Sequence, residues 1–359
     1  MAKVMVGLSG GVDSAVAAAL LVEQGHEVVG GYMKNWMNEE GIPGDCPWEQ
    51  DIEDAASVAK TLGIELRVID LVESYREKIV EYLVNGYEEG LTPNPDVWCN
   101  REMKFGVFLD YALGQGFEAV GTGHYARRRT LSNGQAAILR GADPNKDQSY
   151  FLSLMTTYQV ERALFPTGEM LKPAVRETAH RFGLPVAEKK DSQGICFLGQ
   201  VKMSDFLAHY LPDKPGEIVD TEGRVMGTHR GLHFYTIGQR KGHGVASPKE
   251  GMAYVVVGKR AAENRLVIGW DREDTEGLYS RECIVGTVSS INEEIASLKR
   301  AEAQPRYRAK AEPVKLEALE GGRVRLIFEK GQRALVPGQI MVFYDGGSLL
   351  GGGVVENVG

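Results

Sequence analysis

The sequence predicts an α/β protein in which an N-terminal parallel sheet is followed by two smaller, mainly β modules, the last of them barrel-like. In the first two hundred residues, short apolar segments alternate with helical segments. A glycine-rich turn lies where the first strand passes into the first helix. After about residue 211 the helical pattern gives way to short alternating segments separated by Gly and Pro turns, which is typical of β structure.

The elements of the N-terminal part follow in order from apolar patterning and helix stop signals. Residues 14–24 form an Ala/Leu-rich helix closed by Gly25, and residues 50–62 form an amphipathic helix that ends before Gly63. The full prediction is strands at 3–8, 28–33, 64–71 and 119–123, and helices at 14–24, 50–62, 75–86 and 105–113. Spacing of this βαβ kind predicts a parallel sheet with its ligand at the carboxyl ends of the strands.

The remaining chain divides into two β modules. Pro212, Pro215 and Gly216 mark the change of pattern, and residues 323–328 and 340–344 alternate with period two. We expect a catalytic domain over residues 1–210, a small central domain over 211–275 and a barrel-like domain over 276–359.

Composition limits the class of protein. The 359 residues carry a formal net charge of -8, with 25% charged and 43% hydrophobic residues, as in ordinary soluble proteins of two or three domains. Apolar runs are too short for a membrane helix, which predicts a cytoplasmic protein with no membrane partner. The four cysteines form no C-x-x-C pair, so neither a structural zinc site nor a secreted disulfide framework is indicated, and no metal site is predicted.

An acidic chain is not the simplest nucleic-acid binder, but basic clusters occur locally. They lie at residues 127–129, 239–243 and 299–310. Each cluster alone is more typical of a solvated surface. Together with Tyr307 as a stacking group, they keep an RNA partner open.

The glycine-rich turn is the strongest local signal. It consists of Gly7, Leu8, Ser9, Gly10, Gly11, Val12, Asp13 and Ser14. Adjacent glycines admit an anion close to the backbone, and the new helix offers free amides, so the turn suits a polyphosphate. It is neither a Walker A loop nor a dinucleotide fingerprint. It resembles the loop of the ATP pyrophosphatases, in which Asp13 would cap the helix or bind metal.

Two cysteines lie in segments of unusual composition. The prolines of residues 92–95 exclude helix, so we expect Asp96 and Cys99 on a stiff, exposed loop before the helix at 105–113. Cys196 follows two lysines and a glycine, a setting that favours thiolate. The alternative for either residue is an inert buried cysteine, which Cys283 in its apolar strand fits well.

Six motifs in order make a family resemblance specific. The motifs are residues 9–14, 94–100, 121–125, 146–151, 191–197 and 238–242. Together they resemble the bacterial tRNA-specific 2-thiouridylases, and the resemblance runs nearly end to end. It implies thiolation of the wobble uridine of tRNA at C2, with ATP adenylating the C2 oxygen and pyrophosphate and AMP released.

The resemblance also implies roles for individual residues. Residues 7–14, with Met33 and Gly123, would hold ATP, accompanied by Mg²⁺. Asn94, Pro95 and Asp96 would meet the flipped-out base, and Asp96 would serve as acid or base. Cys196 would carry a persulfide supplied by a cysteine desulfurase or sulfur-relay protein. Cys99 would attack the activated carbon or release hydrosulfide, leaving a Cys99–Cys196 disulfide.

A further set of residues is implied to contact tRNA. The set is His124, Lys146, Asp147, Gln148, Arg306, Tyr307 and Gln339. Two other functions remain open on the sequence: an ATP-pyrophosphatase ligase or amidotransferase, which would not need Cys99 and Cys196, and a non-catalytic nucleotide-binding module.

Overall fold

The computed structural model describes residues 1–37, 41–42, 48–190, 201–246 and 252–359. The strands are β1 (Lys3–Gly7), β2 (Glu27–Lys34), β3 (Glu65–Asp70), β4 (Ala119–Gly121), β5 (Ala126–Thr130), β6 (Ala136–Arg140), β7 (Ala163–Leu164), β8 (Gly216–Asp220), β9 (Val225–His229), β10 (Tyr254–Arg260), β11 (Arg265–Trp270), β12 (Tyr279–Ser290), β13 (Arg300–Gln304), β14 (Glu312–Ala318), β15 (Val324–Arg333), β16 (Ile340–Asp345) and β17 (Ser348–Val358).

The helices concentrate in the N-terminal part. They are α1 (Val12–Glu23), α2 (Trp48–Leu62), α3 (Val72–Tyr75), α4 (Glu81–Glu88), α5 (Pro95–Cys99), α6 (Phe108–Gly114), α7 (Thr157–Glu161), α8 (Lys172–Arg181) and α9 (Met203–Tyr210). Two π-helical segments, Arg76–Val80 and Asn100–Val107, join α3 to α4 and α5 to α6. Short 3₁₀ turns lie at Ser149–Leu152, Leu232–Phe234, Ala261–Glu263, Ile295–Ser297 and Glu320–Gly322.

The predicted parallel sheet is confirmed, with strand order β3-β2-β1-β4-β7. Val6 in β1 pairs with Gly30 on one side and Gly121 on the other. Alternate strand residues face opposite layers: Val4, Val6 and Leu8 pack with α1, α2 and α8, whereas Met5 packs with the helices between residues 72 and 114. The sheet is therefore covered on both faces, as parallel sheets are.

The two β modules are also confirmed. One is a sheet of order β10-β11-β8-β9. In the other, β12-β15-β14-β13-β16-β17 closes on itself through the β12–β17 pair, so it is a six-stranded barrel. The β5–β6 hairpin, which belongs to the N-terminal part of the chain, pairs with β17 through Leu139 and Ser348. Because β17 receives this hairpin, the barrel is tied directly to the domain that carries the parallel sheet.

A short segment after α4 connects all three parts. Lys259 Nζ donates to the Gly90 carbonyl over 3.1 Å, and the Thr92 amide donates to the Pro337 carbonyl over 2.9 Å. The Thr92 and Thr236 hydroxyls lie 3.3 Å apart. Both β modules therefore hold the chain just before α5.

Within the ranges described, we find no helix long and apolar enough to cross a membrane.

Candidate functional site

The glycine-rich turn lies at the carboxyl end of β1, as predicted. The chain leaves β1 and enters the turn at Leu8, whose amide donates to the Gly31 carbonyl in β2 over 2.9 Å. This hydrogen bond fixes where the turn begins. Gly10 has φ of +72°, and a Cβ there would lie 2.6 Å from the Asp51 carbonyl oxygen. Only glycine meets both conditions, because the turn packs directly against the backbone of α2.

The start of α1 is open to an anion. Gly11 is the N-cap residue, and as a glycine it brings no side chain to cap the first amides. The Ser14 hydroxyl instead stabilises the turn, accepting from the Ser9 amide over 3.2 Å and donating to the Gly11 carbonyl over 3.0 Å. Within the described part of the chain, a Cβ on Gly11 would meet only the Ser9 hydroxyl within 4 Å, so these residues leave that side of the turn open. Uncapped amides beside open space suit a phosphate.

Asp13 lies in the first turn of α1 and has an ion-pair partner, Lys172, that was not predicted from the sequence. Lys172 Nζ lies 2.7 Å and 3.0 Å from its two carboxylate oxygens, and the Tyr125 hydroxyl donates to the same carboxylate over 2.7 Å. One signal was available in the sequence: a lysine in the first turn of a helix, as Lys172 is in α8, opposes the helix dipole and indicates an acidic partner.

The residues expected beside the turn lie on the neighbouring strands. Met33, near the end of β2, is 6% exposed, and its Cε lies 3.2 Å from where a Cβ on Gly7 would stand. Gly123 follows β4, and a Cβ there would lie 2.5 Å from the Asp13 carbonyl carbon. Gly123 is therefore required for packing against the first turn of α1, which places residues 121–124 beside the glycine-rich turn.

The predicted exposed loop around Asp96 and Cys99 is wrong. Pro95 begins the helix α5, and the Asn94 side chain caps it by accepting from the Val97 amide over 3.1 Å. Proline at the first helical position loses no hydrogen bond and already has helical φ, so it starts this helix instead of excluding it. Cys99 is 0% exposed. Its thiol therefore does not face solvent in this conformation.

The helix around Cys99 is held by aromatic and polar contacts. Trp98 stacks on Tyr82 with ring centroids 4.8 Å apart, and burial raises the pKa of Tyr82 to about 12. Asn100 is 2% exposed and donates through Nδ2 to the Asp96 carbonyl over 3.0 Å. Cys196, the other predicted cysteine, lies outside the described residues together with the motif at 191–197, as does Cys46.

Two of the predicted tRNA-contact groups meet through one hydrogen-bonded chain. Asp147 pairs with Arg140 at 2.9 Å, and Arg140 donates to Gln304 over 3.1 Å. Gln304 in turn donates to the Arg306 carbonyl over 3.2 Å. Residues 146–148 and 306–307, far apart in sequence, therefore lie together where the sheet domain meets the barrel.

The other expected tRNA contacts are in mixed surroundings. Tyr307 packs on Phe151 with centroids 4.4 Å apart, and the Gln148 side chain accepts from the Tyr125 amide over 3.0 Å. Gln339 is half-buried and its carbonyl accepts from Val355 over 2.8 Å. His124 is 8% exposed, and burial first, then the Lys104 charge, lowers its pKa well below the usual value. The neutral His124 ring is hydrogen-bonded through Nδ1 to the Thr122 hydroxyl, with 2.8 Å between the two atoms.

No carboxylate, histidine and cysteine groups in the described ranges are arranged to hold a metal ion. The open start of α1 and the strand ends carrying Met33 and Gly123 meet at the carboxyl edge of the parallel sheet, which is where open α/β sheets bind ligands. This arrangement can hold a polyphosphate. The helix α5, with Asn94 and the buried Cys99, packs in the layer of helices on the Met5 face of the sheet.

Comparisons with known proteins cover the whole chain. A family model described as tRNA methyl transferase HUP domain matches residues 2–200. Models described as tRNA methyl transferase PRC-barrel domain and aminomethyltransferase beta-barrel domain match residues 204–270 and 280–355.

Two named relatives match over nearly full length. A protein named tRNA-specific 2-thiouridylase MnmA from Akkermansia muciniphila is 67% identical, covering 100% of this chain and 99% of its own. A protein of the same name from Pseudomonas syringae is 46% identical, covering 99% and 94%. A solved 4-thiouridine synthetase–RNA complex with bound ATP is 16% identical with a TM-score of 0.35, covering 56% of this chain and 46% of that one. A likeness so low carries no argument.

Proposed function

Because this chain belongs to the family of the tRNA-specific 2-thiouridylases, we propose that it catalyses the ATP-dependent 2-thiolation of the wobble uridine of tRNA. The observation that carries the proposal is the 67% identity to a relative of that name over the whole of both chains. The start of α1 supports it, because the glycine-rich turn and the first amides of this helix suit the phosphates of ATP.

ATP is the activating substrate in this proposal. The phosphates would lie against the uncapped amides of α1, with Ser9 and Ser14 fixing the turn and Met33 and Gly123 flanking it. Mg²⁺ would be held mainly by the phosphates, as is usual for this ion, since Asp13 is already paired with Lys172. Adenylation of O2 turns a poor leaving group into AMP, with pyrophosphate released.

Sulfur transfer uses the two cysteines. Cys196 would receive sulfur as a persulfide from a cysteine desulfurase or a sulfur-relay protein. The terminal sulfur goes to C2 of the uridine and AMP leaves with O2, while Cys99 gives an electron pair to the Cys196 sulfur and forms the disulfide. Two electrons from a reductant then restore both thiols. Since Cys99 is fully buried, this step requires α5 or its surroundings to move when tRNA binds.

Other assignments go with this function. Asn94, Pro95 and Asp96 at the start of α5 would meet the flipped-out base, with Asp96 as acid or base. The joined groups at 146–148 and 306–307, with His124 and Gln339, would contact tRNA. We also propose domain boundaries near residues 210 and 275, and a cytoplasmic location.

The proposal is tested by incubating the protein with unmodified tRNA, Mg-ATP and a cysteine desulfurase with cysteine, and by detecting thiolated tRNA on a mercury-containing gel. We expect ATP-dependent retardation that is lost in Cys99→Ser and in Cys196→Ser. Cys283→Ser, which changes a cysteine in the barrel, is the matched control and should keep activity. Activity without the two thiols would indicate a ligase or amidotransferase. ATP binding with no pyrophosphate release would indicate a nucleotide-binding module.

A further inference from the structure

Asn35 is a buried amide whose hydrogen-bonding groups are all unused. It is 2% exposed, and neither its Oδ1 nor its Nδ2 has a partner among the residues that the structure describes. The next residue, Trp36, is 7% exposed and its indole Nε1 is likewise unpartnered there. Burying an amide without a partner is costly, because the group gives up its hydrogen bonds to water, so folded proteins leave few such groups. An unused donor and acceptor on one side chain indicate a ligand.

Asn35 lies at the same edge of the sheet as Cys99. Gly31 in β2 and Phe108 in α6 are in contact, since a Cβ on Gly31 would lie 2.6 Å from the Phe108 ring. From that contact, four strand residues lead to Asn35, and nine helical residues lead back to Cys99. β2 and β4 are both parallel to β1, and α6 leads into the amino end of β4, so both paths run toward the carboxyl ends of the strands. Asn35 and Cys99 therefore both lie toward the carboxyl edge of the sheet.

The packing agrees with this placement. Trp36 belongs to the same apolar cluster as Met33, Val97 and Cys99. Asn100, which follows Cys99, also has a buried Oδ1 without a partner in the described part of the chain. Asn35 and Asn100 each lie next in sequence to a member of this cluster. Unused donors on Asn35 and Trp36 and unused acceptors on Asn35 and Asn100 therefore lie at or beside it.

The chemistry of these groups selects the kind of ligand. All of these groups are neutral. They do not suit a phosphate, which binds at charged side chains and at the backbone N–H groups of a helix start. They lie within or beside a cluster of apolar and aromatic side chains, which suit a flat ring. An amide that offers one donor and one acceptor side by side pairs with a nucleobase edge that offers the complementary pair.

We propose that Asn35 binds the edge of the target uracil, with Nδ2 donating to O4 and Oδ1 accepting from N3–H. This inference rests on the proposed thiolation function. It leaves O2 and C2 free, which are the atoms that ATP and sulfur must reach. When O2 is adenylated and N3 keeps its proton, the ring carries a positive charge and N3–H is a stronger donor. The hydrogen bond to Oδ1 then favours this cationic base over the neutral form that has lost the N3 proton, and the proton is still on N3 in the thiolated product.

The test combines a protein change with a substrate change. Anticodon stem-loop RNAs carry either uridine or pyrimidin-2-one ribonucleoside at the target position, because pyrimidin-2-one lacks both O4 and N3–H. We expect Asn35→Ala to weaken binding of the uridine RNA by ~10- to 100-fold, as for lost hydrogen bonds in a site built to make them. On the pyrimidin-2-one RNA, wild type and Asn35→Ala should bind alike. Equal losses on both RNAs would overturn the proposal.

Two further measurements separate the alternatives. The affinity for ATP should be unchanged in Asn35→Ala, and a loss there with normal RNA binding would assign Asn35 to adenine instead. Asn292→Ala removes a half-buried amide at the barrel whose Oδ1 is buried and has no partner in the described ranges, and it should leave binding of both RNAs unchanged. Because RNA affinity is measured without turnover, an enzyme that makes no thiolated product would contradict the proposed function while still reporting whether Asn35 contacts the base.

Discussion

Lys172 Nζ lies 2.7 Å and 3.0 Å from the two carboxylate oxygens of Asp13, joining the first turn of α8 to the first turn of α1. Both side chains are largely buried, with Lys172 12% and Asp13 32% exposed. The positive charge of Lys172 compensates the negative charge of the Asp13 carboxylate beside the open start of α1. Without Lys172, that carboxylate would repel an approaching polyphosphate.

Replacing Lys172 with methionine should therefore weaken ATP use. We expect the KM for ATP to rise ~10- to 100-fold, in line with loss of hydrogen bonds to a charged group. Steady-state pyrophosphate release measures this. Lys60→Met, which removes an exposed lysine from the last turn of α2, is the control and should leave KM unchanged. An unchanged KM in Lys172→Met would show that the pair is structural only.

The cap of α5 gives a prediction on stability. Asn94→Ala should lower the free energy of unfolding by ~0.5–2 kcal/mol, because the Val97 amide loses its partner. Asn94→Asp keeps a capping oxygen and should restore most of this stability. Urea denaturation of the three proteins tests it. If Asn94→Asp is stable yet inactive on tRNA, the amide has a role beyond the cap.

Lys259 gives a dependence of stability on pH. Burial lowers its pKa to about 8, below its ordinary value of 10.5. Between these values the unfolded chain holds the proton more tightly, so the contribution of Lys259 to stability rises with pH from about 8 to 10.5. Lys259→Met should lack that rise.

Urea midpoints at pH 7.5 and pH 10 compare Lys259→Met with the wild type and with Lys310→Met, which changes a lysine that is 85% exposed. Identical pH profiles for wild type and Lys259→Met would contradict the prediction.

His124 should limit stability in acid. Its pKa is lowered, chiefly by burial, so the unfolded chain binds the proton first as pH falls below 6.5. The contribution of neutral His124 to the free energy of unfolding is therefore fully present above pH 6.5 and is lost as the pH falls below this value. In His124→Gln this acid loss should be smaller, as measured by thermal unfolding at pH 7.5 and pH 5. A steeper loss in the variant would exclude a buried neutral histidine.

Cys283 should be chemically inert in the folded protein. It is 2% exposed, and burial, with the Glu282 charge, raises its thiol pKa to about 12. Almost no thiolate is then present at neutral pH. Iodoacetamide at pH 7.5 should leave Cys283 unmodified in the native protein and alkylate it in urea, as peptide mass spectrometry would show. Rapid labelling without urea would contradict its burial.

Much of the N-terminal fold was predictable because its signals are local. Apolar strands, helix stops such as Gly25 and Gly63, and the glycine-rich turn each act within a few residues. The structure therefore agrees with the predicted strands and helices of the parallel sheet. Residues 94–100 were mispredicted, since Pro95 was interpreted as a helix breaker although it occupies the first helical position after a capping asparagine.

By itself, the sequence determined the parallel sheet, the change to β structure after residue 211, and the position of the glycine-rich turn, because periodicity and turn residues encode them directly. Only the tertiary structure decided that Lys172 pairs with Asp13, that β6 extends the barrel at β17, and that the Asn35 side chain is buried without a partner among the described residues. The first two relationships join residues distant in sequence, so they depend on how whole elements pack together.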